Sequence, residues 1–385
     1  MRDVVVIGVG MTRFGKFLER GMPDLGREAV WNAIGDAGVP PGDIRIAYVA
    51  NALGYQLTEL KGTIGQHVLA AAGFFGIPIV NVENACSSGS TALRGACLEV
   101  ASGNCDVALA LGVEKLFCED TARSALAMAS GTPYAKFGFM FPALYSMGLK
   151  KWMDKYGVTQ RHFAKVAAKN SYNGSLNPNA QFRRALTVEE ILASRVIAYP
   201  LTLYMCSTMG DGAAAAIVAT RDAAKRYTSK PLIEVAACEL VSGTVNFPGT
   251  PHVPLETRAA RLAYEKAGIG PEDIDVAEVH DGMAPAEMLI YEELGLCREG
   301  GAARLVDEET TAITGSIPVN PSGGLTAKGH PVGATGLAQV AEIVWQLRGE
   351  AGQRQVKDPK VGLTENAGGW VIDDNAACAV TILKK

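Results

Sequence analysis

Apolar and polar positions alternate with two different periods along this chain, and the pattern predicts a layered α/β fold. Short apolar runs rich in β-branched residues predict strands, and the segments between them repeat apolar residues every three to four positions, as amphipathic helices do. The predicted strands are Val4–Ile7, Ile44–Ala50, Ile79–Asn81, Val107–Gly112, Ala213–Ala219, Leu232–Cys238, Val276–Val279, Val361–Thr364 and Ala377–Leu383. Their alternation with helices favours mixed sheets covered by helical layers.

One stretch of this pattern occurs twice. Residues 33–49 and 263–279 both predict a helix that ends at a glycine, Gly38 or Gly268, followed by a proline turn and a strand. Eight of the seventeen aligned positions are identical in the two copies. The agreement favours an internal duplication over the alternative, which is chance similarity.

A second pair of matching segments, GSTAL at residues 89–93 and GATGL at 333–337, follows in the same order. Cys86 and His330 each lie three residues before the matching glycine. If the two copies pack about a pseudo-twofold axis, their helix starts face each other and a thiol lies beside an imidazole. That arrangement activates a cysteine as a nucleophile.

The length of 385 residues exceeds what one simple core supports, so we expect two fused halves, residues 1–230 and 231–385. The segment from about residue 117 to 206 has no counterpart in the second half. Two interpretations are open: a cap over the active site, or a helical excursion with its own small core. Much of the aromatic content lies in it, at Phe137, Phe139, Phe141, Tyr145, Trp152, Tyr156, Phe163 and Tyr172.

Charge and cysteine content narrow the function and compartment. The net charge is −4 with no basic cluster, which argues against nucleic acid as a partner. The chain runs from Met1 straight into the first predicted strand, and its most apolar stretch, residues 68–82, is interrupted by glycine and proline. Eight cysteines without a CxxC pair favour reduced thiols over disulfides or a zinc site. We therefore expect a cytoplasmic protein that does not enter a membrane.

Cys86 is the candidate nucleophile. It follows a strand ending near Val82, at the start of a predicted helix whose free N–H groups and dipole should favour the thiolate and lower the cysteine pKa. A lone cysteine at a helix start is more often a buried small hydrophobe, but the duplication and the histidines favour the nucleophile. We interpret the other cysteines as structural: Cys97, Cys105, Cys118, Cys206, Cys238, Cys297 and Cys378.

Two of the five histidines have an informative context. His330 lies in the glycine-rich loop 323–336, for which a phosphate-binding turn is the alternative, but the loop lacks both GxGxxG and GxxxxGK[ST]. His280 follows the strand 275–279, at a strand end where α/β sites gather, although a structural histidine is an equal alternative. The remaining histidines, His67, His162 and His252, show no comparable context.

Several segments together resemble thiolases, in particular the sterol-carrier-protein-type and archaeal acetoacetyl-CoA enzymes. They occur in the family's order across nearly the whole chain. The resemblance implies a five-layered αβαβα thiolase fold of two pseudo-twofold-related halves, with a loop domain inserted in the first, assembled as a homodimer or a dimer of dimers. The segments are NACSSG at 84–89, MCSTMGDGAAAA at 205–216, VHD at 279–281, VNPSGG at 319–324 and GHPVGATG at 329–336.

The resemblance also implies residue roles. Cys86 would be acylated, and His330 would polarise it and help bind the thioester oxygen. His280 would line the enolate-binding oxyanion hole together with His330. The N–H of Gly368 would join that of Cys86 in the hole for the acyl oxygen. Each such donor contributes about 3 kcal/mol to the transition state.

The same resemblance implies the ligands and partners. Coenzyme A would be a substrate, with Gly324 and Gly329 in its vicinity, and no metal or redox cofactor would be required. Thiolases of this branch often associate with a small companion protein that carries an OB-fold and a zinc ribbon. We therefore expect an acyl-CoA substrate and consider a heteromeric complex with such a subunit.

The chain departs from the family where a second cysteine usually moves the α-proton. Asn366 and Gly282 stand at the two positions where that cysteine is found. Condensation of acetyl-CoA needs a strong base, so the departure favours degradation, with His280 and a bound water protonating the departing enolate. Gly282 would also widen the pocket, which together with the aromatic insertion predicts a bulky or aromatic 3-oxoacyl-CoA.

Two other functions remain open. One is a thiolase-fold aldolase or ketosynthase-like condensing enzyme, although the aldolases need no cysteine nucleophile. The other is a non-catalytic subunit of an acyl-CoA complex, which the missing second cysteine favours and the retained Cys86, His280 and His330 disfavour.

Overall fold

The structure is a computed structural model that describes residues 2–120, 140–245, 252–371 and 374–385. Each of the nine predicted strands forms, some of them longer than predicted, and a short hairpin adds two more. The strands are β1 (Val4–Met11), β2 (Ala47–Ala50), β3 (Ile79–Val82), β4 (Val107–Glu114), β5 (Val196–Ala198), β6 (Leu201–Thr202), β7 (Gly212–Thr220), β8 (Ile233–Ser242), β9 (Val276–Glu278), β10 (Val361–Gly368) and β11 (Ala377–Lys384).

Helices connect and cover these strands. Those that the structure describes are α1 (Met22–Ala37), α2 (Gly54–Leu57), α3 (Ile64–Ala71), α4 (Ser88–Ser102), α5 (Phe141–Tyr156), α6 (Gln160–Leu176), α7 (Val188–Ala193), α8 (Arg221–Ala224), α9 (Leu255–Ala267), α10 (Ala284–Glu293), α11 (Ala302–Asp307), α12 (Gly324–Ala327) and α13 (Thr335–Arg348). None of these described helices is both long and apolar enough to cross a bilayer.

The sheet order reflects the duplication. Nine strands are hydrogen-bonded in the order β3-β2-β4-β7-β1-β8-β11-β10-β9, which reads as the same arrangement on either side of the β1–β8 junction. In the part of the chain that the structure describes, the second half has no full counterpart of β3. In its place, Val319 forms a single parallel bridge with Ala277 on the outer edge of β9. At the junction only two residue pairs join the halves, Val5 with Glu234 and Val6 with Ile233.

Three buried clusters define five layers. Helices α1 and α3 cover the outer face of the first half, with Val30 and Val68 in one cluster. Helices α4 and α13 lie between the two halves of the sheet, where Leu93 and Leu337 share a second cluster. Helices α9 and α10 cover the outer face of the second half around Met288. The predicted αβαβα layering is confirmed.

The starts of the two central helices contact each other, as the duplication predicts. A Cβ atom built on Gly89 would lie 3.0 Å from the carbonyl oxygen of Gly333, and one built on Gly336 would lie 2.2 Å from Oγ of Ser90. Only glycine permits backbones to approach this closely. The backbone N–H of Gly333 also donates to the buried carboxylate of Glu114 at 2.9 Å, which ties the second half to β4.

The described part of the insertion forms α5, α6, α7 and the β5–β6 hairpin. Its buried side chains, such as Phe163, belong to the same cluster as α9 and α10, so it does not build a core of its own. The ring of Trp152 stacks on Phe163 with centroids 6.2 Å apart. Phe137 and Phe139 lie outside the described residues. The limits 117–206 and the boundary between residues 230 and 231 remain predictions.

Candidate active site

A cavity of about 630 Å³ opens where loops of both halves meet beneath α5. Its apolar wall comes mainly from α5 and α10: Met140, Phe141, Pro142, Leu144, Tyr145, Leu149, Met283, Ala286, Leu289 and Ile290. Its polar lining comprises Cys86, Cys206, Ser207, His252, Glu256, His280, Glu293, His330, Asp374 and Asn375. The cavity thus joins the candidate nucleophile to a large apolar space.

The three side chains selected from the sequence meet in this cavity. Three atoms lie within 4.8 Å of one another: the sulfur of Cys86, a ring nitrogen of His280 and a ring nitrogen of His330. The two imidazole rings are 5.3 Å apart between centroids and inclined by 75°. The thiol comes from the first half of the chain and both imidazoles come from the second.

A strained turn places Cys86 ahead of its helix. Ala85 has φ +48°, which is uncommon for a residue with a side chain and typical of functional turns. The hydroxyl of Ser88 donates to the carbonyl of Ala85 at 2.6 Å and accepts the N–H of Asn84 at 2.8 Å, which fixes the turn. Cys86 therefore lies two residues before the first residue of α4.

The predicted acidic thiol is wrong for this structure. Burial raises the pKa of Cys86 to about 12, with a smaller contribution from the charge of Glu114. The backbone N–H groups of Gly369 and of Cys86 itself lower this pKa but do not offset the burial. The helix start alone was the basis of the prediction, and it does not outweigh desolvation. Cys86 is therefore a thiol that needs a base when it attacks.

His330 has the geometry of that base. Its Nδ1 lies 2.7 Å from the hydroxyl of Thr335, which in turn donates to the carbonyl of Pro331 at 3.1 Å. Because the single hydroxyl proton is directed at Pro331, the hydroxyl oxygen accepts from Nδ1–H, and Nε2 of His330 is left with a free lone pair. Burial lowers the pKa of His330 well below its ordinary value, and the charges of His280 and Lys328 lower it further. The ring is neutral and able to accept a proton.

His280 is a second neutral imidazole. It is 8% exposed, and burial lowers its pKa to about 4. Its Nε2 is buried without a hydrogen-bond partner among the described residues. An unpaired polar atom inside a protein costs free energy unless a ligand or water satisfies it. Nε2 of His280 is therefore available to a bound substrate.

Asp281 connects the loop of His280 to the loop of His330. Its buried carboxylate accepts the N–H of Leu325 at 2.6 Å and the hydroxyl of Thr326 at 3.0 Å, both in α12. It also accepts the side-chain N–H of Asn170 at 2.9 Å. Burial and the neighbouring charge of Glu287 raise the pKa of Asp281 to about 7. The contacts fix the two histidine-bearing loops relative to each other.

The structure does not place Gly324 or Gly329 against the cavity. Gly324 has φ +58°, and a Cβ there would lie 2.4 Å from the carboxylate of Asp281. Gly329 has φ +106°, and a Cβ there would lie 2.8 Å from Oε1 of Gln181. Backbone conformation and close packing account for both glycines, so this structure offers no contact that supports their predicted proximity to CoA.

Gly368 lies directly against the nucleophile turn. A Cβ built on it would lie 2.7 Å from the backbone nitrogen of Cys86 and 2.5 Å from that of Ser87. The N–H that reaches the sulfur is that of the next residue, Gly369, which the sequence did not single out. The role of Gly368 in an oxyanion hole remains a prediction.

The two positions predicted to lack the second cysteine differ in location. Asn366 is fully buried outside the cavity and accepts a hydrogen bond from Ser90 at 3.3 Å. Gly282 lines the cavity beside His280 and Tyr145. Of the two, only Gly282 could present a side chain to a ligand.

Sequence reasoning assigned no role to four residues of the site. Asp281 and Thr335 had a usable signal, since one directly follows His280 and the other begins the helix after His330. Tyr145 was noted only as part of the aromatic insertion. His252, to which no role was given, also lines the cavity.

The cluster of Cys86, His280 and His330 could also hold a metal ion. Thiolate and imidazole are the ligands that zinc prefers, and the spacing of up to 4.8 Å needs only small movements to close around one ion. Such an ion would bind the sulfur of Cys86 and so prevent an acyl group from bonding to it. That the protein needs no metal remains a prediction.

Comparisons with known proteins follow the same division into halves. The family model described as "Thiolase, N-terminal domain" matches residues 4–222, and "Thiolase C-terminal domain-like" matches residues 253–384. Acetyl-CoA acetyltransferase of Methanothermobacter thermautotrophicus is 43% identical over 96% of this chain and 97% of its own length. Sterol carrier protein 2 of Bos taurus is 40% identical over 95% of this chain and 70% of its own length.

Further relatives bear on substrates and partners. The benzoylsuccinyl-CoA thiolase subunit BbsB of Thauera aromatica is 35% identical over 96% of this chain and 95% of its own length. The solved structure titled Ltp2-ChsH2(DUF35) aldolase is 25% identical, with a TM-score of 0.81 over 99% of this chain and 97% of that one. Human mitochondrial 3-ketoacyl-CoA thiolase in complex with CoA shares the fold, with a TM-score of 0.77 over 100% of this chain and 98% of that one at 19% identity.

Proposed function

Because this chain belongs to the thiolase family of acyltransferases, we propose that it uses CoA to cleave a 3-oxoacyl-CoA through an acyl intermediate on Cys86. The observation that carries the proposal is the meeting of the Cys86 sulfur with ring nitrogens of His280 and His330 within 4.8 Å, at the wall of a large cavity. A thiol, a neutral base and a second neutral imidazole are the groups that thioester chemistry by a cysteine requires.

The first half-reaction begins with a proton transfer. Nε2 of His330 takes the thiol proton of Cys86 as the sulfur attacks the keto carbon of the substrate. The high pKa of the thiol makes the sulfur a strong nucleophile once it is deprotonated. The N–H groups of Cys86 and Gly368 would hold the developing oxyanion. The bond between C2 and C3 then breaks, and the departing part leaves as a thioester enolate.

The enolate needs its own stabilisation. Nε2 of His280 has no partner among the described residues and can donate to the enolate oxygen when it carries the proton.

In the second half-reaction the thiol of CoA attacks the acyl group on Cys86. The sulfur of Cys86 leaves and recovers its proton from His330, while the thiol proton of CoA replaces the proton that C2 of the enolate has taken up, which restores the starting state.

We infer a bulky or aromatic acyl group and a degradative direction. The cavity wall from α5 and α10 is apolar, with Phe141, Leu144 and Leu289 among its residues, and the volume is about 630 Å³. One relative carries the name of a benzoylsuccinyl-CoA thiolase subunit, which agrees with this inference.

For the assembly we propose a homodimer or dimer of dimers in the cytoplasm, joined by a small companion subunit with an OB-fold and a zinc ribbon. The support is indirect: one similar structure contains a DUF35 partner in its title, and BbsB is named as a subunit. An aldolase or condensing activity is less well supported, because an aldolase would leave Cys86 without a role.

The experiment is a CoA-dependent cleavage assay on the purified protein, with 3-oxoacyl-CoA esters that carry methyl, hexyl or phenyl groups. We expect turnover only with CoA, highest for the phenyl ester, and an acyl group on Cys86 detected by peptide mass spectrometry. Cys86→Ser should abolish turnover, while Cys97→Ser, a buried cysteine outside the cavity, should not. Cleavage of the corresponding 3-hydroxyacyl-CoA without added CoA would instead indicate an aldolase, because a retro-aldol reaction needs a hydroxyl group at C3.

A further inference from the structure

A tyrosine from the insertion fills the space that a glycine leaves beside His280. A Cβ atom built on Gly282 would lie 3.1 Å from Cε1 of His280 and 3.6 Å from the hydroxyl oxygen of Tyr145. The phenol therefore ends where a side chain at position 282 would begin. Tyr145 lines the same cavity as Cys86, His280 and His330.

The hydroxyl of Tyr145 makes no hydrogen bond to another described residue, and the half-buried side chain lines the cavity. Tyr156, on the same helix, differs, because its hydroxyl donates to Glu299. The position of Tyr145 is nevertheless well fixed. The neighbouring Ser146 donates to the carbonyl of Ala198 at 3.0 Å, and Trp152 of the same helix stacks on Phe163. A donor that is held in place and opens onto the cavity is available to a bound substrate.

We propose that Tyr145 is the acid that protonates the departing enolate, an inference that rests on the cleavage reaction proposed above. The Cys86 proton passes to His330, the sulfur bonds to C3, and the electron pair of the C2–C3 bond moves to C2. C2 takes the proton of Tyr145, which leaves a phenolate near the His330 imidazolium. When CoA attacks the acyl group, the phenolate takes the thiol proton of CoA, and His330 returns its proton to Cys86.

Tyr145 suits this step better than His280. Burial raises the pKa of Tyr145 above its ordinary value, so the phenol carries a proton at neutral pH. An enolate is a much stronger base than a phenolate, so the transfer remains favourable. Burial lowers the pKa of His280 to about 4, and the N–H of a neutral imidazole is a weaker acid than a phenol. His280 is therefore suited to a hydrogen bond with oxygen, and Tyr145 to proton transfer to carbon.

The test separates two reactions of one site. Cleavage of a 3-oxoacyl-CoA breaks a carbon–carbon bond, whereas exchange of labelled CoA into an acyl-CoA through Cys86 breaks only thioester bonds. Tyr145→Phe should lower kcat for cleavage by about 10²- to 10⁴-fold. It should lower the exchange rate less than about tenfold, because the CoA thiolate leaves readily without an acid. Tyr156→Phe is the matched control and should leave both rates near the wild-type values.

Cleavage by Tyr145→Phe within about tenfold of wild type would overturn the inference, as would an equal loss of cleavage and exchange, which would indicate a structural role. Replacement by 3,5-difluorotyrosine keeps the shape and acidifies the phenol. It should move the alkaline limb of the cleavage profile to lower pH, and an unmoved limb would also overturn the inference. A wild-type protein that exchanges CoA but cleaves no 3-oxoacyl-CoA would instead refute the proposed function.

Discussion

The backbone N–H of His280 donates to the carboxylate of Glu365 at 2.9 Å, so a buried acid holds the strand end that carries one of the two imidazoles of the candidate site. Glu365 is fully buried. Burial, with a contribution from the charge of Glu256, raises the pKa of Glu365 to about 8. The protein therefore carries a proton in its core that the unfolded chain releases near pH 4.5.

This proton makes stability depend on pH. Between about pH 5 and 8 the folded state binds one proton more than the unfolded state at Glu365, so the free energy of unfolding should fall as pH rises, by up to about 1.4 kcal/mol per pH unit for one such carboxyl. Glu365→Gln should flatten this slope when measured by urea unfolding at pH 5, 6, 7 and 8. Glu189→Gln, at an exposed carboxylate, should not. An unchanged slope in Glu365→Gln would contradict the raised pKa.

Thr335 should control the tautomer of His330. Thr335→Val removes the acceptor for Nδ1–H and allows the proton to move to Nε2, where it blocks transfer from Cys86. We expect kcat to fall about 10- to 100-fold with little change in KM, since a wrong tautomer costs activity while the pocket keeps its shape. Thr335→Ser should retain most of the activity. Equal rates for the valine and serine variants would exclude this positioning role.

The reactivity of Cys86 should report its protonation. Because burial raises the pKa of the thiol to about 12, its alkylation by iodoacetamide should accelerate steadily between pH 7 and 10, without a plateau. Peptide mass spectrometry distinguishes Cys86 from the other cysteines. A plateau below pH 9 would show that the thiolate is already formed in the resting protein, as the sequence first indicated.

Zinc should inhibit turnover by binding the side chains that the proposed reaction uses. The sulfur of Cys86 and the nitrogens of His280 and His330 can close around one ion, so micromolar Zn²⁺ should block turnover and EDTA should restore it. Magnesium at the same concentration should have no effect, because it prefers oxygen ligands. If zinc instead increases turnover of the metal-free protein, the expectation that no metal is needed is wrong.

Gly324 should be required for the contact between the two histidine loops. Gly324→Ala introduces a Cβ 2.4 Å from the carboxylate of Asp281 at φ +58°. We expect a loss of about 2–4 kcal/mol in the free energy of unfolding, together with lower kcat, because steric overlap adds to the backbone strain. Gly349→Ala is the control, since it has φ +79° but nothing within 4 Å of the new Cβ, and should cost only about 1 kcal/mol. Equal losses would show that the contact with Asp281 contributes nothing.

The sequence predicted those features that depend on local pattern or on the duplication. Apolar runs located all nine strands of the main sheet, and the signal was continuous in strands such as β1, β4 and β7, which are buried along their whole length. Matching segments predicted that Cys86 and His330 meet, since equivalent positions in two copies lie across a pseudo-twofold axis. These inferences needed no knowledge of side-chain packing.

Features that depend on packing between distant elements were not predictable. The pKa of Cys86 follows from the depth of the cavity, which the start of α4 does not reveal. Tyr145 reaches Gly282 only because α5 packs over the second half of the chain, and no spacing in the sequence relates residues so far apart. Gly324 and Gly329 suggested a ligand, whereas their surroundings show close contacts with protein atoms.

Only two residue pairs join β1 to β8, and this short junction has a consequence for the candidate site. One half supplies the sulfur and the other supplies both imidazoles, so the two similar halves share a single candidate site. Neither half alone contains all three side chains of this site. A change that shifts one repeat against the other would therefore silence the enzyme even if both retained their own folds.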